Sequence, residues 1–299
     1  MVKSSEVGEP LKVTTMSSAT ESPISSLHSV DLPLRMRMSL RLTWLLPPHM
    51  REALLFGRAW WCPHAQALMH KLSGYRGDVT ISLRSHMQGV KLSASALEKY
   101  PYMREHFELP EQQFIRKWVL SGDHVFDVGG HIGFMALYFA SLGAKVCTFE
   151  PSPISFGRLQ HNLALNPKLE ITPYNVGASD CDAVGYLSPC GSMSALGWSG
   201  NEVHLIRLAP LMKVLRPSFL KIDVEGHAGS VIRGMALDAM DTSLPILMIE
   251  THNTGEHDAV VEHLSGTYDL VDLDHSVRFP RRIGCVPKCS PRVRTSECR

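Results

Sequence analysis

Apolar and polar positions change rhythm several times along the chain, and each change marks an element. Residues 1–31 are rich in Ser, Thr and Pro with little periodicity, the pattern of a segment without a packed face. From Leu34 to Thr43 apolar residues (Leu34, Met36, Met38, Leu40, Leu42) alternate with Arg35, Arg37, Ser39 and Arg41, a strand signal or a basic surface segment that Pro47-Pro48 ends. Residues 50–72 read as a helix with a Trp60-Trp61 face. Asp78 to Leu92 alternates again around Gly89, which predicts a hairpin. Pro110 opens a helix over Glu111–Leu120.

Beyond Asp123 short apolar runs take turns with helical periodicity. Strands are predicted over His124–Val128, Lys145–Phe149, Glu170–Val176, Ser218–Ile222, Leu244–Ile249 and Tyr268–Leu273. Helices are predicted over Phe134–Leu142, Ser155–Asn166, Gly229–Ala239 and Ala259–Leu264. Residues 177–210 are Gly-, Ser- and polar-rich and give no clear assignment. Strands and helices alternating at this spacing predict an open, mainly parallel α/β sheet with helices on both faces. The expected organisation is a weakly ordered segment over 1–49, a helix-and-hairpin extension over 50–117, the α/β domain over 118–277 and a basic tail over 278–299.

Composition adds limits. No run of 18 apolar residues exists, so no membrane-spanning helix is expected. Lys plus Arg is 30 against 29 Asp plus Glu, a net charge of +1, which gives no field favouring nucleic acid. The charge is uneven, for Arg278 to Arg299 hold seven basic residues and one acid. The seven cysteines are scattered, with Cys285, Cys289 and Cys298 the one cluster and no fourth metal ligand at a regular spacing, so reduced thiols in a cytoplasmic setting are expected. Glu6, Glu9 and Glu21 argue against an organelle-targeting leader.

The chemistry concentrates where the first strand of the domain runs into Asp127-Val128-Gly129-Gly130-His131-Ile132-Gly133. A strand, a Gly-rich turn and a helix start form a ligand cradle, because the glycines admit close backbone approach and the helix offers unpaired N–H groups. The nicotinamide fingerprint G-x-G-x-x-G is not met, since His131 stands where its second glycine would fall, and no phosphate-loop Gly-Lys-Ser/Thr follows. Asp127 suits a ligand bearing positive charge or N–H groups. Glu150, at the end of the second strand, is placed to accept bonds from two ribose hydroxyls.

Four segments in order, Phe126–Gly133, Phe149-Glu150-Pro151, Gly177-Ala178-Ser179-Asp180 and Phe219-Leu220-Lys221-Ile222-Asp223-Val224-Glu225-Gly226, resemble the FkbM family of S-adenosylmethionine-dependent methyltransferases. The resemblance runs from about Asp78 to Leu273. It implies a Rossmann-like class I methyltransferase fold, with S-adenosylmethionine as cofactor and methylation of a hydroxylated small molecule, sugar or glycolipid. By that likeness the loop with Asp127, Gly129, Gly130 and Gly133 holds the methionine end, Glu150 the ribose and Asp180 the adenine amino group, while Asp223 sits beside the transferred methyl. The chain departs from the family pattern at His131, where Asn is usual, at Ala228, where Glu is usual, and at Leu208-Ala209, where Leu-Asp is common. The last two touch the acceptor side and motivate an alternative, a non-catalytic module that keeps the cofactor fold; a nucleotide-sugar or nicotinamide enzyme is a third reading.

An alcohol acceptor must lose its proton, and the candidates for a base are Asp223, Glu225 and His227, all just past the fourth strand. Asp223, Glu225, Glu250 and His252 are expected to meet at adjacent strand ends, a cluster of the sort that can hold Mg²⁺, although no metal ligand is assigned. Tyr186, Met193 and Trp198 are candidate walls of an acceptor site.

Overall fold

The structure is a computed structural model that describes residues 78–83, 87–95, 109–187, 196–197, 200–240, 244–275 and 278–289. The alternating segment 34–43, the helix read over 50–72, Met193, Trp198 and the residues from 290 onward lie outside the described residues.

The chain begins with the hairpin expected around Gly89: β1 (Asp78–Ser82) and β2 (Lys91–Ser95) pair antiparallel with Ser82 opposite Lys91. Helix α1 (Leu109–Trp118) leads into β3 (His124–Val128), α2 (Phe134–Ser141), β4 (Lys145–Phe149), α3 (Pro153–Ala164) and β5 (Ile171–Tyr174). The stretch without a sequence assignment folds into β6 (Gly177–Ala178), β7 (Ala183–Leu187), β8 (Leu196–Gly197) and β9 (Asn201–Ile206), followed by α4 (Ala209–Leu215). Then come β10 (Phe219–Ile222), α5 (Ala228–Met235), β11 (Ile246–Thr251), α6 (Thr254–Leu264), β12 (Tyr268–Asp272) and β13 (Arg281–Pro287).

Seven strands form the main sheet in the order β12-β13-β11-β10-β3-β4-β5. The five from β11 to β5 are parallel, and β13 runs antiparallel between β11 and β12. Chain order reverses between β3 and β10, so the ligand crevice of an open α/β sheet falls at their carboxyl ends. The strands β6 to β9 make a separate four-stranded sheet, order β6-β9-β7-β8, with Leu187, Val203 and Leu205 beneath it.

One correction concerns the chain end. The basic stretch from Arg278 is not a solvated tail at its start, because Arg281 to Pro287 is a strand inside the sheet. Its apolar residues Ile283, Cys285 and Val286 are buried. Its two arginines find acids on neighbouring segments, Arg281 with Asp272 at 3.1 Å and Arg282 with Glu250 at 2.9 Å. A run of charge thus reads as tail until its partners are in place. The proposed boundary near residue 117 is likewise no seam: Leu92 and Ala94 of the hairpin, Ile115 of α1 and Val125 of β3 share one core with α2.

That core explains α2. Phe134 to Ala140 are all buried, and a helix apolar all round belongs between layers. The opposite face of the sheet packs on α4, α5 and α6 through Leu220, Ile222, Leu247 and Ile249. Helix α3 is started by Ser152, whose side chain accepts from Ser155 N, with Pro153 in its first turn. Its inner side carries two asparagines that read the backbone of β2. Asn162 Oδ1 accepts from Ser93 N at 2.6 Å, and its Nδ2 donates to Ser93 O at 3.0 Å and to Ile132 O at 2.8 Å. Asn166 repeats the grip on Lys91, accepting from its N at 2.8 Å and donating to its O at 2.7 Å. The helix side thereby serves as the next strand of the hairpin, and Asn162 ties both to the Gly-rich loop.

Asn162 is fully buried and three backbone groups depend on it. Asn162→Ala is expected to cost about 2–4 kcal/mol of unfolding free energy, since buried donors and acceptors lose their partner without access to water. Urea denaturation of the two proteins checks this; a loss below about 0.5 kcal/mol contradicts it.

Candidate active site

Register places the first charges. Pairing of β3 with β10 sets Lys221 opposite Asp127, and pairing of β3 with β4 sets Asp127 opposite Thr148. These three side chains therefore lie in one row on the face covered by α1 and α2, inside strands that are otherwise apolar. Asp127 is fully buried, accepts from Thr148 Oγ1 at 3.0 Å, and lies 3.7 Å from Lys221 Nζ. The same ammonium reaches Asp223 Oδ2 at 3.2 Å and Gly129 O at 3.4 Å. Burial raises the Asp127 carboxyl above its ordinary range against the pull of Lys221. Burial also opposes charge on Asp223, yet Lys221 and His252 outweigh it and hold that carboxyl far below the usual range. One buried cation thus serves two acids unequally.

The strand ends at Ile222, and the next residues turn. Asp223 and Glu225 (the latter at φ 48) converge on His252, as Nε2 lies 3.3 Å from Asp223 Oδ1 and Nδ1 lies 3.3 Å from Glu225 Oε2. Burial works against a charged ring, but these two acids, with Glu250, push His252 up to about 9. The ring is therefore an imidazolium at neutral pH, and both of its N–H groups are used. Asp223, Glu225 and His252 bring ligand-type atoms within 4.8 Å of one another, the composition of a divalent-cation cluster, but here His252 itself supplies the positive charge. Glu250 stands one strand over, its carboxyl lifted by burial and by Asp223 to about 7.

The Gly-rich loop closes against this cluster. A Cβ on Gly129, which sits at φ 87, would lie 1.7 Å from Asp223 O, and one on Gly130 would lie 2.1 Å from Thr148 Oγ1. Only glycine lets the loop lie against β10 and β4 here. Gly133, at φ 92, caps α2. Glu150 sits at the mouth, accepting from His131 N through Oε2 at 2.7 Å and from Ser152 N through Oε1 at 2.8 Å. Burial pushes its carboxyl up to about 7 despite those two donors.

The remaining predicted residues lie apart. His227, at the start of α5, turns to Ser179 (Nε2 to Oγ, 3.0 Å), and burial lowers its tendency to protonate. Asp180 is paired with Arg233, which donates from Nε at 3.0 Å and from Nη2 at 2.8 Å. Asp223 and Glu225 therefore meet His252, while His227 joins the Ser179-Asp180 corner. Tyr186 is exposed on β7. Glu256 of α6 ties the start of α5 to the end of β11, accepting from Ala228 N at 2.8 Å and from His252 N at 2.7 Å.

Sequence reasoning gave no role to Lys221 or Glu256. Lys221 left a signal, a lone basic residue in Phe219-Leu220-Lys221-Ile222, facing Asp127 in the neighbouring apolar run. Glu256 left none, because a glutamate in the first turn of a helix is common on its own account.

Strand order, Gly-rich loop at the switch point, acid at the end of β4 and acids after β10 together define a Rossmann-like class I methyltransferase domain. Residues 127–273, a little under half of the chain, match the model of the Methyltransferase FkbM domain. The hexuronic acid methyltransferase AglP of Haloferax volcanii is 33% identical over 142 residues, 44% of this chain and 56% of that protein, so the chain spans little more than half of that relative. Solved structures overlap at lower identity. An rRNA methylase from Streptococcus thermophilus gives a TM-score of 0.41 at 16% identity over 62% of this chain and 98% of that one. A tRNA (uracil-54, C5)-methyltransferase from Pyrococcus abyssi, in complex with S-adenosyl-L-homocysteine, gives 0.42 at 12% over 70% and 44%.

Two tests address the buried charges. Lys221→Met leaves Asp127 and Asp223 without their shared cation and is expected to cost about 3–5 kcal/mol of stability in urea unfolding. Glu150 has a folded pKa of about 7, above the ordinary 4.5, so its contribution to stability is complete below pH 4.5 and is lost as pH rises through 7. Unfolding free energy is expected to fall by more than about 1 kcal/mol between pH 5 and pH 8. Glu150→Gln should flatten part of that slope, the remainder belonging to Glu250 and His252.

Proposed function

We propose that the protein is an S-adenosylmethionine-dependent O-methyltransferase acting on a hydroxylated small molecule, a sugar or the sugar part of a glycolipid. The observation that carries this reading is the Asp223–His252 pair at the carboxyl end of β10, beside the switch point and backed by Lys221. The likeness to a methyltransferase named for hexuronic acid supports a sugar-type acceptor.

The residues present fit the cofactor. The glycines at 129 and 130 leave backbone where any side chain would collide. Each Glu150 oxygen accepts one backbone N–H and keeps acceptor capacity for a ribose hydroxyl. Asp223 places a firmly ionised carboxylate where a sulfonium is to be held. Asp180, with Arg233 fixing its orientation, is the group for the adenine amine, and His227 positions that corner through Ser179. When bound, S-adenosylmethionine supplies a methyl group already activated for displacement, so the chain's main task is alignment.

The proton of the acceptor hydroxyl is the remaining problem, and His252 takes it through Nδ1 once the ring has lost a proton and the hydroxyl has displaced Glu225 from that nitrogen. Its ring is oriented from both sides by Asp223 and Glu225, and its backbone by Glu256. The acids that orient the ring also keep it protonated near neutrality, so the free base accumulates only as pH approaches 9. A placed base of this kind contributes roughly 10²–10⁴-fold.

Binding of S-adenosylhomocysteine measured by calorimetry tests the cofactor; NAD binding with no response to S-adenosylhomocysteine would reject the reading. Glu150→Ala is expected to weaken that affinity by about 1–3 kcal/mol. Turnover of a sugar acceptor is expected to rise with pH from 6 to about 9, and His252→Gln should lower the rate at least 100-fold and remove the rise. A profile that keeps its rise in the variant takes His252 out of the proton path.

A further inference from the structure

The two nitrogens of the His252 ring are held by carboxylates of different standing. Nε2 meets Asp223 at the very end of β10, and that carboxylate is fixed a second time by Lys221 at 3.2 Å. Nδ1 meets Glu225 at 3.3 Å, two residues further along, in the turn that links β10 to α5. Glu225 takes φ 48, and Gly226 follows at φ 94. The left-handed region is uphill for a residue with a Cβ, and the glycine beside it leaves the backbone free to take other conformations. The Glu225 side chain is 29% exposed, so it has a way out to water.

Charge decides what keeps Glu225 in place. The groups that face it and the ring are Lys221 and Asp223 from β10 and its end, Glu250 from β11 and Glu256 from the first turn of α6. Three of these four are acids. Lys221 is divided between Asp127 and Asp223, and Arg282, which faces Glu250 from β13, is shared with Glu111 and Asp274. Asp223 and Glu256 oppose the charge on Glu225, and the His252 ring offsets them more than Lys221 does. Once the ring is neutral that attraction ends while the repulsion stays, and the left-handed backbone adds to the tendency to leave.

We propose that Glu225 is an internal stand-in for the acceptor, a latch that occupies the place of the acceptor hydroxyl on His252 Nδ1 and is released when the ring loses its proton. This rests on the reading of His252 as the base and adds the regulation of that site. The proton goes from Nδ1 to solvent, Nε2 keeps its hydrogen on Asp223, and the freed Nδ1 lone pair faces the incoming hydroxyl. A neutral ring and an open place beside it thus arise in one event. Glu225 takes no part in methyl transfer itself; it sets the pH at which the base becomes available and covers the base until then.

The experiment follows the His252 ring by NMR titration of the full chain, its signals assigned with His252→Gln, and compares Glu225→Gly, whose glycine suits the left-handed turn. The ring is expected to titrate near 9 in the unaltered chain and at least about one pH unit lower in the variant. Acetate is expected to enter the vacated place in the variant and raise the midpoint again, with no response from the unaltered chain. Methyl glucoside, the hydroxyl probe, is expected to move the ring signal of the variant at neutral pH, and that of the unaltered chain only above about pH 9. Glu225→Gln should also lower the midpoint, and serves if the glycine variant does not fold. An unmoved midpoint in a folded variant, acetate acting equally on both chains, or no response of the variant to the glucoside overturns the proposal. Mg²⁺ that strips the ring proton in the unaltered chain overturns it too, since the three residues would then be a cation site. Failure of S-adenosylhomocysteine to bind strikes the methyltransferase reading beneath, whereas the ring titrations strike the latch alone.

Discussion

A single ammonium group inside the sheet conditions the rest of this molecule. Lys221 lies within reach of Asp127 on one side and Asp223 on the other, and it touches the carbonyl of Gly129. Removing two carboxylates and an amine from water is expensive, and only close pairing makes it tolerable. The chain meets that cost at the position where a doubly wound sheet opens its crevice. Without the lysine, Asp127 and Asp223 would repel each other under the Gly-rich loop, and the loop would lose its floor.

From that centre a polar file crosses the sheet. It begins at Thr148, passes Asp127, Lys221 and Asp223, and continues through Glu250 to Arg282 and Glu111. Apolar side chains lie below it toward the amino ends of the same strands: Val125, Val146, Phe219 and Ile246. Each strand therefore has an apolar half that packs and a polar end that binds, and the transition falls within two residues. The acids in this file differ through their surroundings. Asp223 is kept ionised by two cations, while Glu150 and Glu250, with weaker compensation for burial, sit near neutrality.

Much of this was legible beforehand. Periodicity located β3, β4, β10 and β11, because parallel strands inside the sheet and covered on both faces are short apolar runs, and the edge strands β5 and β12, which alternate, followed from their place between helices. The glycines at 129, 130 and 133 announced the loop. Three things stayed hidden for stated reasons. The sheet over 177–206 is made of short strands with exposed Val184 and Tyr186, so no apolar rhythm marks it. The strand β13 carries paired arginines whose partners lie up to 171 positions earlier, at Glu111, which no local pattern reveals. The orientation of His227 away from Asp223, and of His252 toward it, depends on the left-handed turn at Glu225, a geometry that residue type does not announce.

The place of β13 bears on how the chain comes into being. Among the described strands it is the last to leave the ribosome, yet it fits between β11 and β12, which are made before it. During synthesis β11 has an open edge on that side, and Glu111, Glu250 and Asp274 await the guanidinium that will neutralise them. The nascent protein can thus assemble the Gly-rich loop and the strands β3, β4 and β5 early. The far edge of the sheet comes together only when β13 is threaded home, so that a translation product cut short before Arg282 would leave Glu111, Glu250 and Asp274 without their shared guanidinium.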